Sequence, residues 1–151
     1  MLLAPFILLA HVAEEAPGFI PWYNRHVEPD LTIGGFLAFS TIGLLVTVLV
    51  TVPTVRSRNY QLALALIGWL SFLMLANGIV HLTASIVFRE YVPGTVTAAF
   101  LYLPYFFVAA VMICQEFSVR PRTAVFAATV GAIPMFVQAV GILTVGRRIL
   151  W

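Results

Sequence analysis

The chain contains no lysine, a single cysteine and few charges of either sign: six acidic residues and eight arginines among 151 residues. Charged residues make up 9% of the sequence, whereas an ordinary soluble domain carries roughly a quarter. So few charges could not cover a water-facing surface, which excludes a soluble globular domain and leaves lipid as the solvent. The arginines sit almost entirely between or beyond the apolar runs. The net charge of +2 therefore reports flanking residues and excludes a nucleic-acid-binding face. The lone Cys114 cannot form an internal disulfide, and inside an apolar run it reads as a small buried hydrophobe. Internal repeats and low-complexity tracts are also missing. Nothing separates a second folding unit, so residues 1–151 are expected to form a single integral membrane domain.

What is present is apolar: 62% of residues are hydrophobic and the mean hydropathy is +1.02. Five apolar segments stand out, at about residues 2–16, 32–52, 60–88, 95–115 and 123–146. A hydrocarbon core of roughly 30 Å needs about 20 helical residues, and the last four segments meet that length. The first is halted by Pro17-Gly18 and is short, either a cramped span or a helix that inserts only in part. It lacks the basic start of a signal peptide and runs directly into Glu14 and Glu15, so it reads as a retained helix. The expected fold is all-α, a polytopic transmembrane helical bundle of about five membrane helices with the first one short. Residues 17–30, with Trp22, Tyr23, Arg25, His26, Glu28 and Pro29, suit an interfacial connection.

If all five helices span, Arg56, Arg58, Arg120 and Arg122 fall on one side, A. Arg25, Arg89, Arg147 and Arg148 fall on the other, B. The count is tied, although the side-A arginines concentrate in two short loops and lean toward that side being cytoplasmic.

Ionisable groups inside apolar segments are costly and mark functional sites by default. On a helix His11 shares a face with Glu14 and Glu15, three and four residues on. An imidazole and two carboxylates on one face can bind a divalent metal or act in acid/base chemistry, although the glutamates also suit a polar helix end. Asn77 and His81, deep in the third segment, are again four apart, with Gly78 between them allowing close approach of a neighbour. The first and third helices run the same way. His11 lies about 8 Å of helix rise before Ala16, and His81 about 10 Å before Phe88, so the two histidines should lie at similar depth. Tyr91-Val92-Pro93-Gly94 follows on side B. Pro-Gly makes a tight turn, most simply type II with Gly94 at positive φ, and such a turn could aim Tyr91 at the ends of both helices.

The three pieces, His11-Val12-Ala13-Glu14-Glu15, Asn77-Gly78-Ile79-Val80-His81 and Tyr91-Val92-Pro93-Gly94, resemble in order the HxxEE, NxxxH and YxPG motifs of the HXXEE-domain family of small prokaryotic integral membrane proteins. The resemblance covers most of the chain. It implies a place in the prokaryotic cell membrane and an enzymatic role whose reaction is not established. It makes His11, Glu14, Glu15, Asn77, His81 and Tyr91 the characteristic residues.

The chemistry expected of them is metal-dependent. His11, His81 and one or both of Glu14 and Glu15 would bind Zn²⁺ or iron, and a glutamate left free would act as general base. Asn77 would orient a ligand or donate to an oxyanion, Tyr91 would serve as acid, and no organic cofactor is expected. The substrate would be a membrane lipid or another apolar molecule, and a homo-oligomer is compatible with the chain. Two alternatives use the same residues: a metal-free acid/base isomerase of an unsaturated lipid or isoprenoid, and a non-catalytic transporter or proton-relay subunit. Haem ligation by His11 and His81 would need both rings to face one plane. Tyr102, Tyr105 and Gln138 read first as interhelical packing, with lining of the same cavity as the alternative. For His26 and Glu28 two readings stand, reach to the cluster and an exposed connecting loop.

Overall fold

The computed structural model describes residues 1–27 and 31–149, with side chains described through Gly141; Glu28 and the arginines 147 and 148 lie outside what it details. Among the described residues the chain is all helical. The six helices are α1 (Ala4–Glu15), α2 (Phe19–His26), α3 (Ile33–Ser57), α4 (Tyr60–Phe88), α5 (Thr95–Glu116) and α6 (Pro121–Ile149). Helices α3 to α6 are long and apolar enough to cross a membrane. With 12 residues, α1 rises only about 18 Å and is the short first helix expected from the sequence.

Local chemistry sets most of the boundaries. Pro5 opens α1, where its missing N–H costs nothing, and Pro17-Gly18 closes it. The Thr32 hydroxyl accepts from the Gly35 N–H to start α3, and the Asn59 side chain accepts from Gln61 and Leu62 to start α4. Pro53 does not end α3, which continues to Ser57. Hydroxyls in the last turns secure carbonyls there: Thr54 donates to Val50 and Ser57 to Pro53.

The stretch expected as a plain connection contains α2. Phe19, Trp22 and Tyr23 form one face of this short helix, and Pro21 falls in its first turn, where the backbone N–H groups lack partners anyway. An eight-residue helix carries too little periodic pattern to stand out from an aromatic interfacial loop.

Helix α4 is the centre of the bundle, packed by α3, α5 and α6. Leu66, Ile67, Leu70 and Met74 meet Tyr102, Phe106, Ala109 and Ile113 of α5 and Ala4 and Leu8 of α1. Thr47, Thr51 and Thr54 form a wholly buried stripe on α3, and Thr47 accepts a hydrogen bond from Trp69 Nε1 at 2.9 Å. Two stretches of wider π-type turn interrupt the long helices, Ser71–Ala76 in α4 and Ala98–Tyr102 in α5. Outward faces are apolar: Phe39, Phe100, Phe107 and Phe126 are all largely exposed.

The α4–α6 crossing depends on missing side chains. A Cβ on Gly131 would lie 2.1 Å from the Gly68 carbonyl oxygen, so the helices meet backbone to backbone. Gly131→Ala should therefore cost about 1–3 kcal/mol through overpacking, read as a lowered melting temperature in detergent. Gly141→Ala, where an added Cβ would meet nothing within 4 Å, is the matched control and should leave stability equal or slightly higher.

Candidate metal centre

The site forms where α1, α4 and the turn before α5 meet. Helical spacing puts His11 and Glu15 one turn apart on α1, and both face inward; His11 is 2% exposed and Glu15 9%. His81 arrives from α4, 4% exposed. One carboxylate oxygen, Glu15 Oε1, stands 3.5 Å from His11 Nε2 and 3.2 Å from His81 Nε2. The imidazole rings meet edge to face with centroids 4.9 Å apart, as their matched depth required, too close to sandwich a porphyrin plane. Each of the three residues offers a donor atom within 4.8 Å of the other two. Tetrahedral ligands at about 2.0–2.1 Å from a zinc ion stand roughly 3.3 Å from one another, so the Glu15 oxygen already stands near ligating separation from both nitrogens.

The surroundings orient His11. Its Nδ1 lies 2.7 Å from Thr97 Oγ1, and that hydroxyl has an acceptor of its own in the Gly94 carbonyl at 3.2 Å. Nδ1–H then donates to Thr97, leaving the lone pair on Nε2 directed at the cluster, where Nε2 is buried without a hydrogen-bond partner. Tyr102, wholly buried, stacks on the His11 ring at 4.1 Å. Phe19 of α2 covers His81 at 6.0 Å.

The Val92-Pro93-Gly94-Thr95 turn presses on this group. Thr95 N–H donates to the Val92 carbonyl at 3.0 Å, and Gly94 has φ 100° and ψ −15°, the values of the third residue of a type II turn. Gly94 is needed twice. A Cβ there would fall 2.7 Å from His81 Cε1 and 2.8 Å from His11 Cε1. The turn is tied to α4 by Ser85, whose hydroxyl accepts from Val92 N–H at 3.2 Å and meets Thr95 Oγ1 at 2.8 Å.

Glu14 does different work from its neighbour. Its carboxylate accepts from the backbone N–H groups of Val96 at 3.0 Å and Thr97 at 2.7 Å, at the first turn of α5, and from the Tyr91 hydroxyl. The structure thus places Glu14 and Tyr91 with each other, apart from the group of His11, Glu15 and His81. Tyr91 lies outside the long helices; partial burial, together with the bond to Glu14 and its charge, pushes its hydroxyl up to about 12, so it remains a neutral donor.

A cavity of about 430 Å³ opens beside the cluster. His11, Glu15, Asn77, His81, Tyr102 and Gln138 are among its polar lining, with Tyr23 and Ser40, within a wall of Leu, Phe, Trp and Val side chains. Asn77 and His81 do share a face, and Gly78 lets α4 approach Leu103 of α5. Asn77 Oδ1 and the Tyr102 hydroxyl are buried without partners. Both π-type stretches border the site: Asn77 follows one and Tyr102 ends the other, and the extra residue per turn resets which side chains face inward.

Tyr102 and Gln138 line the cavity, whereas Tyr105 only packs, donating to the Met1 carbonyl at 2.5 Å. His26 is buried in α2, its Nδ1 donating to the Trp22 carbonyl at 2.9 Å and its Nε2 3.3 Å from Glu90, outside the cluster. Thr97 escaped sequence reasoning. Its position three residues after Gly94, at a helix start, was the available signal.

Three substitutions separate these roles. Gly94→Ala combines a left-handed backbone cost of about 1–2 kcal/mol with collision on both imidazoles, and should lower both the melting temperature and metal uptake. Glu14→Ala strands three donors at the start of α5 and should cost about 1–3 kcal/mol of stability while metal uptake persists; Glu15→Ala should abolish metal uptake, measured by thermal unfolding and elemental analysis.

No curated protein and no solved structure matches the chain. The family described as a protein of unknown function with HXXEE motif matches residues 2–109, a stretch that holds all three motifs, the cluster and both π-type turns. The chain belongs to the HXXEE family.

Proposed function

We propose that this protein is a metal-dependent enzyme embedded in the prokaryotic cell membrane, acting on a lipid or another apolar substrate at His11, Glu15 and His81. The observation that carries it is the convergence of two imidazoles on one carboxylate oxygen beside a largely apolar cavity. Burying such groups among apolar helices is unfavourable unless they serve as ligands or partners to one another. Two histidines and one carboxylate, with further positions open, form the ligand set of catalytic zinc and of non-haem iron(II). A bound ion would supply Lewis acidity toward a carbonyl or phosphoryl oxygen and would acidify water.

The protein's own residues supply the rest. Thr97 holds His11 in the ligating tautomer, and the Gly94 turn fixes both rings. Glu15 has a second oxygen with which to take up a proton. Asn77 and Tyr102, whose polar atoms are buried and unpartnered at the cavity wall, would orient the polar end of a substrate. Glu14 and Tyr91 position α5 against α1.

Elemental analysis of detergent-purified protein is the direct test. About one zinc or iron per chain is expected, with at least about tenfold weaker binding in His11→Ala, Glu15→Ala and His81→Ala. Tyr105→Phe, remote from the cluster, should retain it. Absence of stoichiometric metal, with no activity gained on adding zinc or iron, would overturn the metal and leave the same residues to acid/base chemistry.

A further inference from the structure

A second hollow adjoins the cavity beside the cluster. Helices α3 and α6 both lie on α4, and between them runs an apolar groove. Leu64, Ala65 and Gly68 of α4 form its floor, with Val50 of α3 and Val130 of α6 among its walls. Trp69 and Phe72 line both the groove and the cavity, so the two adjoin side by side along α4. From Leu64 to His81 the track follows 17 residues of α4, about 25 Å of helix rise. Among the described residues Glu15 is the only carboxylate along it and no arginine lines it. Its rims carry exposed apolar side chains, Phe39, Phe126 and Val130.

We infer that this groove seats the hydrocarbon chain of the substrate, which enters sideways between α3 and α6 from the bilayer and presents its polar end to His11, Glu15 and His81. The inference rests on the lipid-acting function proposed above and adds the substrate's class and pose: a long-chain amphiphile lying along α4. Three features support it. The flanking helices are membrane-spanning by length and composition, so the medium covering the groove is hydrocarbon. The track is long and narrow-floored, because Gly68 and Gly131 bring α4 and α6 together beneath it, which suits one extended chain. Its apolar length ends at a polar cluster, the arrangement that an amphiphile with a single reactive end requires.

The test is photocrosslinking in proteoliposomes, with a diazirine fatty acid in one arm and a diazirine isoprenoid alcohol in the other, and adducts mapped by mass spectrometry. In one arm, adducts at residues 64–72 and 126–138 should saturate and be displaced by excess unlabelled chain. Adducts at Phe107 and Val111, on the outward face of α5, should not saturate. The saturating arm tells an acyl chain from an isoprenoid. Val130→Trp, and independently Val50→Trp on the facing wall, should cut the saturable adducts about tenfold while leaving the α5 adducts unchanged. Labelling is repeated after chelation. Persistence of the saturable adducts without metal keeps the chain site apart from the metal proposal, so either can fail alone. Groove adducts that saturate no better than those on α5, that survive both tryptophan variants, or that are replaced by crosslinks to a second copy of the chain would overturn the inference.

Discussion

Ionisable side chains buried among apolar helices are stable only where each finds a partner, and that constraint organises this molecule. Glu15 is placed one helical turn from His11 and within reach of His81, so one carboxylate oxygen serves both imidazoles. Removing Glu15 would take the shared partner from both imidazoles, in a medium that solvates polar groups poorly. Around them Thr97 takes the outer nitrogen of His11, and Tyr102 stacks on its ring.

The turn between α4 and α5 depends on the same constraint. It must lie close enough to seal two imidazoles, which no side chain at position 94 would permit, and its backbone must turn through positive φ at that residue. Glu14 then fastens the first turn of α5 to the end of α1, using N–H groups that any helix start leaves without partners. Adjacent glutamates thus divide the labour. One faces the cluster, while the other holds the helices that frame it.

Helix α4 links this polar end to the apolar body. Its upper part carries Asn77 and His81, its middle widens into a π-type stretch, and its lower part packs on α6 through glycine. The cavity beside the histidines and the groove between α3 and α6 are consequences of how the two outer helices rest on this one.

Much of this was legible in the residues alone. Scarcity of charge and the lengths of the apolar runs determine an all-helical chain with spanning helices, because backbone polar groups in hydrocarbon must be satisfied within each segment. Helical spacing places His11 with Glu15 and Asn77 with His81, and the matched depths of the histidines follow from rise per residue. Pro93-Gly94 specifies its turn. Only the tertiary structure decided which glutamate faces which neighbour. Glu14 and Glu15 stand about 100° apart around one helix, and the contact each makes depends on helices distant in sequence. It also decided the roles of Thr97 and Tyr102, since π-type turns shift the facing of side chains without a mark that spacing rules can read. Periodicity assigns a residue to a face; what that face meets is decided by packing.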